Sequence, residues 1–203
     1  MISFLKKVLT GLRPVRYRSA SKTLAVLGYF DKKTEEMICD VKKRTELSIC
    51  ELGETVYSSP HITFLITDDR GIDKMKKQLD GITRKVRLPV VRFSHIGYFP
   101  SSGVVFIGIT PTTELMRFHT VICSKFEGTD SRISPYYMPS KWIPHCSIAD
   151  GVEEISIKTS VYREIPFPFE ARIERLAITE MDHSTGKLIN SVDIQEKVFP
   201  DQD

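Results

Sequence analysis

"SSPHITFLIT" (residues 58–67) and "KWIPHCSIAD" (residues 141–150) share one short pattern on which the interpretation of this chain depends. In each stretch a proline precedes a histidine, and a hydroxyl residue follows the histidine after one intervening position. Each pattern contains apolar residues that suit a strand, and a strand tolerates a proline at its start. The repeat therefore predicts two equivalent strands, one in each half of the fold.

Strand geometry places the polar groups of each stretch on a single face. Residues two apart in a strand point the same way, so His61 shares a face with Thr63, and His145 shares a face with Ser147. The intervening Cys146 points to the opposite face, where we expect it to pack. Each strand thus offers one imidazole and one hydroxyl from a rigid support.

Two imidazoles and two hydroxyls around one small volume suit cleavage of a phosphodiester without a metal ion. A neutral imidazole accepts a proton from the attacking oxygen, and an imidazolium donates one to the leaving oxygen. Both forms are accessible near neutral pH because the pKa of free histidine is about 6.5. We predict His61 and His145 as the acid–base pair, with their individual roles open. Thr63 and Ser147 are predicted to bind the phosphate oxygens.

The simpler alternatives are structural histidines and a metal site. A single H-x-(S/T) match is a weak signal, and His183 provides another, but in a polar turn without a preceding proline. A catalytic zinc ion usually has three protein ligands, and the sequence contains no H-E-x-x-H pattern. The triphosphate-binding pattern G-x-x-x-x-G-K-(S/T) is also missing from the sequence. We therefore expect no metal and no cofactor.

Hydrophobic periodicity along the whole chain predicts elements in the order β-α-β-α-β-β-α-β-α-β-β. Turns near residues 100–103 and 183–186 join the two pairs of consecutive strands. This order predicts an α+β fold with two lobes, each with a mixed or antiparallel sheet covered by outer helices, around a central cleft. The predicted helices cover residues 32–49, 71–85, 112–126 and 151–164, and the third is expected to turn Leu115, Phe118, Val121 and Ile122 inward.

At the two histidine motifs the sequence resembles the 2H phosphoesterase superfamily, also called the LigT-like or 2′-5′ RNA ligase/cyclic phosphodiesterase family. The family's two H-x-(T/S)-x motifs correspond here to "HITF", which begins at His61, and "HCSI", which begins at His145. The resemblance covers about residues 22–198. It implies a bilobal fold with pseudo-twofold symmetry and metal-free catalysis on RNA-type phosphodiesters. It also implies that both histidines are catalytic and that Thr63 and Ser147 bind phosphate.

The combined expectation is a metal-independent phosphodiesterase that hydrolyses a 2′,3′-cyclic phosphate or a 2′-5′-linked oligonucleotide. Its partner would be an RNA, an oligonucleotide or a cyclic nucleotide. Two alternatives remain open: a module that binds an RNA end or nucleotide without turnover, and an RNA 2′-5′ ligase. The motifs themselves do not choose among these substrates.

The loop over residues 127–141 is the predicted source of further substrate contacts, since it leads directly into the second motif. Aromatic rings stack on bases, and Arg or Lys meets phosphate. The alternative is that Trp142 packs in the core and that the two tyrosines are ordinary turn residues. The candidates are Arg132, Tyr136, Tyr137 and Trp142, with Tyr98 and Phe99 in the middle hairpin as further ones.

Basic residues are concentrated at the start of the chain. Residues 1–30 carry six Lys or Arg residues and no acidic residue, so the remainder is net negative although the chain totals +3. We predict a basic arm over residues 1–21 and one bilobal domain over residues 22–203. The arm has three interpretations: an organellar presequence, an arm that contacts RNA or an anionic surface, and a short amphipathic helix on the domain.

Composition also bears on the compartment. The four cysteines form no C-x-x-C pair and no obvious disulfide framework, so we expect reduced thiols. No apolar run approaches the roughly 20 residues that a membrane span needs. We therefore expect a cytoplasmic monomer without a membrane segment, the alternative location being an organelle reached through a presequence.

Overall fold

The chain follows the predicted order of elements wherever the structure, a computed structural model, describes it. The described residues are 22–49, 59–68, 71–83, 86–127, 132–149, 163, 165–182 and 187–196. The basic arm, nearly all of the predicted helix 151–164 and the turn 183–186 lie outside them. The elements are β1 Lys22–Phe30, α1 Lys32–Ile49, β2 His61–Asp68, α2 Ile72–Thr83, β3 Val90–Phe99, β4 Val104–Ile109, α3 Thr113–Ser124, β5 His145–Ala149, β6 Phe169–Asp182 and β7 Lys187–Glu196.

The strands form one seven-stranded sheet, and every pairing among the described residues is antiparallel. Its path runs β2-β1-β6-β3-β4-β5, and β7 pairs with β6 outside this path. The two halves are continuous because β6 is 14 residues long. Residues 169–172 of β6 pair with β3, whereas residues 173–182 pair with β1. The α+β class is confirmed, with the two expected sheets joined through β6 and β3.

The two histidine-bearing strands lie at opposite ends of the sheet path and nevertheless contact each other. Antiparallel sheets twist, and here the two end strands approach one another. Trp142, three residues before β5, donates a hydrogen bond from Nε1 to the backbone oxygen of Thr63 in β2, at 3.0 Å. The fold thus brings together the two stretches that share the sequence pattern.

Helix α1 packs against β1 and β5, beneath the strand that carries His145. Its apolar residues Ile38 and Val41 are buried, which follows from helical spacing. Lys42 is buried as well, with 8% of its surface exposed. Lys42 therefore lies in the packed layer behind the two motif strands, near enough for its charge to act on His61.

Helix α3 begins after a capping residue, since the Thr112 side chain accepts a hydrogen bond from the backbone N–H of Leu115 at 3.3 Å. The expectation that Val121 faces inward is wrong, because 36% of its surface is exposed. The buried stripe instead includes His119, four residues after Leu115 and four before Cys123. None of the helices in the described ranges is long and apolar enough to cross a bilayer.

Candidate active site

Both motif histidines are anchored by the same backbone hydrogen bond. Nδ1 of His61 lies 2.8 Å from the carbonyl oxygen of Ser59, and Nδ1 of His145 lies 2.6 Å from that of Ile143. A carbonyl oxygen only accepts, so Nδ1 carries the proton in both rings. The neutral tautomer then leaves Nε2 of each ring as the nitrogen that accepts a proton.

The prolines of the sequence pattern explain why these two anchors match. Pro60 and Pro144 stand between each histidine and its carbonyl partner two residues back. Proline disfavours the helical conformation of the residue before it and brings no N–H of its own. The preceding residue is therefore held extended at the start of the strand. We infer that this geometry presents its carbonyl oxygen to the imidazole.

The packing between the two motifs is direct. The backbone N–H of His61 hydrogen-bonds the sulfur of Cys146, which is 1% exposed. The positive charge of a protonated His145 also acts on His61 across the gap. Ile62, between His61 and Thr63, is completely buried. The predicted alternation is therefore present on both strands, with the apolar partners packed behind the polar pair.

Electrostatics favour the neutral form of both imidazoles. Burial is the main reason that the pKa of His61 is lowered to about 4, with smaller effects in the same direction from the charges of Lys42 and His145. The Ser59 carbonyl opposes this shift. Burial likewise lowers the pKa of His145, against the effect of the Ile143 carbonyl. At neutral pH without a bound anion, both rings are therefore neutral.

The two thiols nearest the site are poor nucleophiles. Burial raises the pKa of Cys146 to about 11 and that of Cys123 to about 12. Thiolates carry out the nucleophilic chemistry of cysteine, so protonated thiols of this kind are inert at neutral pH. Both residues act through packing, as the sequence pattern indicated for Cys146.

The hydroxyl of Thr63 has a neighbour that the sequence did not specify. The Tyr137 hydroxyl forms a side-chain hydrogen bond with Thr63, and burial raises the pKa of Tyr137 to about 12. Tyr137 belongs to a short 3-10 turn, Pro135–Tyr137, that lies against β2. The phenol therefore stays protonated and contacts the Thr63 hydroxyl.

A cavity of about 450 Å³ opens beside His145 and Ser147. It lies between the β3–β4 hairpin and the segment that leads into β5. Tyr136 is 71% exposed. The lining residues are Phe99, Ser101, Ser102, Val104, Tyr136, Tyr137, Lys141, Trp142, Ile143, His145 and Ser147.

The other predicted substrate contacts, Trp142 and Arg132, lie in different parts of the fold. Trp142 borders the cavity but is only 6% exposed, and its ring stacks on His119 at 3.8 Å between centroids. This ring packs in the core, which was the alternative interpretation. Arg132 lies at the far end of β2 from His61, where its backbone bonds Asp68 and Thr67. It is not among the residues that line the cavity.

Three residues near the site were not selected from the sequence. Tyr29 pairs with His61 across β1 and β2, and the guanidinium carbon of Arg175 lies 3.8 Å from the centroid of the Tyr29 ring. Lys42 acts electrostatically on His61 from helix α1. An aromatic residue at the end of a strand is a weak local signal. Their proximity to His61 depends on strand pairing and helix packing, which one sequence does not display.

Within the described residues, no group of three or more His, Cys, Asp or Glu side chains is arranged to hold a metal ion. The other two histidines of the described residues, His95 and His119, contact side chains of other kinds. His95 lies on β3 beside Ser94, with 2.9 Å between Nδ1 and the hydroxyl oxygen. His119 is buried against Trp142, with Nε2 3.4 Å from the sulfur of Cys123.

Several solved structures of the same fold match this chain over nearly their whole length. LigT of E. coli, in a complex with NADP+, is 16% identical, with a TM-score of 0.60 over 86% of this chain and 99% of that chain. LigT is also solved with phosphate and with 3′-AMP. The protein TT0787 of Thermus thermophilus is 16% identical, with a TM-score of 0.58 over 87% of this chain and 100% of its own. A structure described as a phosphoesterase is 14% identical, with a TM-score of 0.60 over 86% and 99% of the two chains.

The sequence comparisons concern the family. No curated protein matches the chain significantly. The family model of the 2′-5′ RNA ligase superfamily matches residues 56–185, a range that contains both histidine motifs. The expected kinship with LigT-like 2H phosphoesterases is confirmed by this match together with the shared fold. The chain belongs to the 2′-5′ RNA ligase superfamily.

Proposed function

We propose that the protein is a metal-independent phosphodiesterase that acts on RNA-type phosphodiesters, either 2′,3′-cyclic phosphates or 2′-5′ linkages. The observation that carries this proposal is the matched anchoring of His61 and His145 by backbone carbonyls, which leaves two Nε2 atoms for proton transfer. Thr63 and Ser147 follow these histidines on the same faces of β2 and β5. The site thereby contains two proton-transfer groups and two phosphate ligands.

Hydrolysis of a 2′,3′-cyclic phosphate requires one proton to leave a water molecule and one to reach a ribose oxygen. The neutral imidazole takes the proton from water as the water oxygen bonds to phosphorus. The imidazolium donates its Nε2 proton to the ribose oxygen whose bond to phosphorus breaks. The product is a 2′- or 3′-phosphomonoester, and each imidazole ends in the protonation state from which the other began. Proton exchange with solvent resets the pair.

The electrostatic environment supports His61 as the base and His145 as the acid. Burial and the charge of Lys42 disfavour the protonated form of His61. Lys42 has no corresponding effect among the causes that shift the pKa of His145. A bound phosphate brings negative charge, which raises the pKa of a nearby imidazole and favours its protonated form. His145 is therefore the ring more readily protonated when substrate is bound.

The Thr63 and Ser147 hydroxyls donate to the non-bridging oxygens of the phosphate. Donors already in place cost no reorganisation when negative charge builds up in the transition state. The Tyr137 hydroxyl contacts Thr63 and orients its hydroxyl. A nucleotide ligand is supported by the fold relative LigT, which is solved with phosphate, 3′-AMP, ATP and NADP+.

The test uses the full chain in EDTA with a 2′,3′-cyclic nucleotide and, separately, 2′-5′-oligoadenylate. We expect turnover of at least one substrate and its loss in His61→Ala and in His145→Ala. Absence of turnover, or full activity in either variant, would overturn the mechanism. Binding without turnover would favour a binding module, and a joined product from cyclic-phosphate and 5′-hydroxyl ends would favour ligation.

A further inference from the structure

Two glycines on neighbouring strands make room for two rings on one face of the sheet. Gly97 in β3 lies opposite Phe106 in β4, and Gly108 in β4 lies opposite His95 in β3. A Cβ atom on Gly97 would collide with the Phe106 ring, and one on Gly108 would collide with the His95 ring. Each ring therefore lies flat across the glycine of the other strand. The Phe106 and His95 rings together cover this face of β3 and β4.

Phe99 stacks on one of these two rings, that of Phe106. Its ring centroid is 4.3 Å from that of Phe106, at an interplanar angle of 28°. Its ring also lies 5.1 Å from His145, nearly perpendicular to it at 81°. Phe106 is 5% exposed and supports Phe99 from below, whereas Phe99 is only half-buried and borders the cavity. The result is a supported aromatic ring that lines the cavity beside His145.

The cavity suits a flat, uncharged aromatic group. At about 450 Å³ it is within the range of small-ligand pockets. None of the described residues that line it is acidic, and Lys141 is the charged member. It also shares His145 and Ser147 with the proposed phosphate site. A group attached to the ribose of a phosphate bound there would enter this cavity.

We propose that Phe99, supported by Phe106 over Gly97, is the stacking platform for the nucleobase of the substrate. This inference rests on the proposed function and names the part of the substrate that the cavity binds. Stacking uses the face of a base, which every base possesses, so it tolerates different sequences. The other polar side chains at the hairpin, Ser101 and Ser102, are exposed at its tip and are not fixed by packing. The subsite therefore recognises the presence of a base more than its identity.

The test compares five substrates: the 2′,3′-cyclic phosphates of adenosine, cytidine, guanosine and uridine, and ribose 2′,3′-cyclic phosphate without a base. We expect kcat/KM to differ among the four nucleosides by less than it falls on removal of the base. Stacking on one ring predicts a loss of roughly 5- to 150-fold for the compound without a base. Equal kcat/KM with and without the base would overturn the proposal.

Variants locate the platform. In Phe99→Leu the ratio of kcat/KM for adenosine to that for the compound without a base should fall towards one. Phe106→Leu removes the support and should lower the same ratio by less. Phe167→Leu is the matched control, since Phe167 is a half-buried ring that does not line the cavity, and its ratio should stay close to that of the unaltered protein. A ratio that depends on Phe167 and not on Phe99 would overturn the assignment.

Binding measurements separate this proposal from the proposed activity. Calorimetric titration with 3′-AMP and with ribose 3-phosphate compares the same ligand with and without a base, and needs no turnover. Tighter binding of 3′-AMP that is lost in Phe99→Leu supports the subsite even if no phosphodiester is cleaved. Equal affinities of the two compounds would overturn the subsite even in a protein with full phosphodiesterase activity.

Discussion

The indole Nε1 of Trp142 donates a hydrogen bond to the backbone oxygen of Thr63, at 3.0 Å, and so ties the segment before β5 to the middle of β2. Each end of this bond lies two or three residues from a motif histidine. The same indole packs against Phe64, with 5.7 Å between ring centroids. Because β2 and β5 lie at the two ends of the sheet path, this contact helps to set the separation of the two imidazoles.

Replacement of Trp142 by phenylalanine keeps an aromatic ring but removes the N–H donor and part of the buried ring. The Thr63 carbonyl would lose its indole partner, and we expect the free energy of unfolding to fall by about 1–3 kcal/mol. We also expect kcat to fall, since the spacing of the motifs is less constrained. Urea unfolding followed by circular dichroism and steady-state kinetics measure the two effects.

Leu79→Ala is the matched control for Trp142→Phe, because Leu79 is a buried residue of α2 away from both motifs. Its loss of stability should be comparable or larger, about 2–5 kcal/mol, with kcat retained. An unchanged kcat in Trp142→Phe as well would mean that the indole bond is purely structural.

Conservative substitutions should test the two motif hydroxyls without disturbing the fold. Thr63→Val and Ser147→Ala remove a donor to the phosphate, and each should lower kcat by about 10²- to 10³-fold. Ser147→Thr keeps the hydroxyl and should retain most of the activity. Single-turnover kinetics at saturating cyclic nucleotide would measure this, and a Thr63→Val variant with kcat near that of the unaltered protein would remove Thr63 from the phosphate site.

The two histidine roles can be assigned with a leaving group that needs no proton. Thymidine 3′-(4-nitrophenyl phosphate) lacks a 2′-hydroxyl, so its hydrolysis uses water and releases nitrophenolate. Loss of the acid should matter little for this compound, whereas loss of the base should still matter. We expect His145→Ala to retain far more activity on it than His61→Ala, and the reverse ranking would exchange the two roles.

The pH dependence of kcat/KM should reflect lowered pKa values in the free protein. His61 must be neutral, and its pKa of about 4 places the loss of activity on the acid side near pH 4. His145 must be protonated, and its lowered pKa places the loss on the alkaline side below the ordinary histidine value of about 6.5. We therefore expect a bell-shaped profile with its maximum in acid.

The profile of kcat should lie at higher pH than that of kcat/KM, because the bound phosphate raises the pKa of the acid imidazole. Initial rates over a pH series, at low and at saturating substrate, measure both profiles. A maximum of kcat/KM above about pH 6.5 would contradict the depressed pKa values.

His119 should make folding stability depend on pH without any role in catalysis. Burial lowers its pKa to about 4, so the unfolded chain binds a proton at higher pH than the folded chain does. Stability is therefore complete above about pH 6.5 and falls as the pH drops towards 4, by roughly 3 kcal/mol at most for this group. His119→Phe keeps a ring against Trp142 and removes the titration.

Urea unfolding at pH 6.5 and pH 4.5 measures this effect. The difference in unfolding free energy between the two pH values should be smaller in His119→Phe than in the unaltered protein, where His61 also contributes. The same difference in both proteins would show that His119 does not titrate as its burial indicates.

Some local features of the chain can be predicted from a single residue, such as the start of a strand. β2 begins at His61, directly after Pro60, as the sequence pattern indicated. Val121 was assigned to the wrong face because the buried stripe of α3 follows the contacts of its neighbours, which include His119. A stripe defined only by apolar residues does not include His119, although this histidine is buried in it.

The candidate substrate contacts lie in different places because their positions depend on where a loop lies. Arg132 and Tyr137 are five residues apart and were grouped together, but Arg132 bonds the end of β2 while Tyr137 reaches Thr63. Neighbours in a loop separate in space when the loop runs along a strand edge. Phe99, a further candidate in the middle hairpin, lies against His145 in the structure.

Two features follow from the amino-acid order alone: His61 shares a face with Thr63, and His145 with Ser147, and a proline precedes each histidine. These are local consequences of the two-residue repeat of a strand and of the restricted backbone around proline. Long-range packing brings the motifs together, places Trp142 in the core and puts Phe99 at the edge of the cavity. Those outcomes depend on the end strands β2 and β5 coming together, which is a property of contacts between residues far apart in the chain.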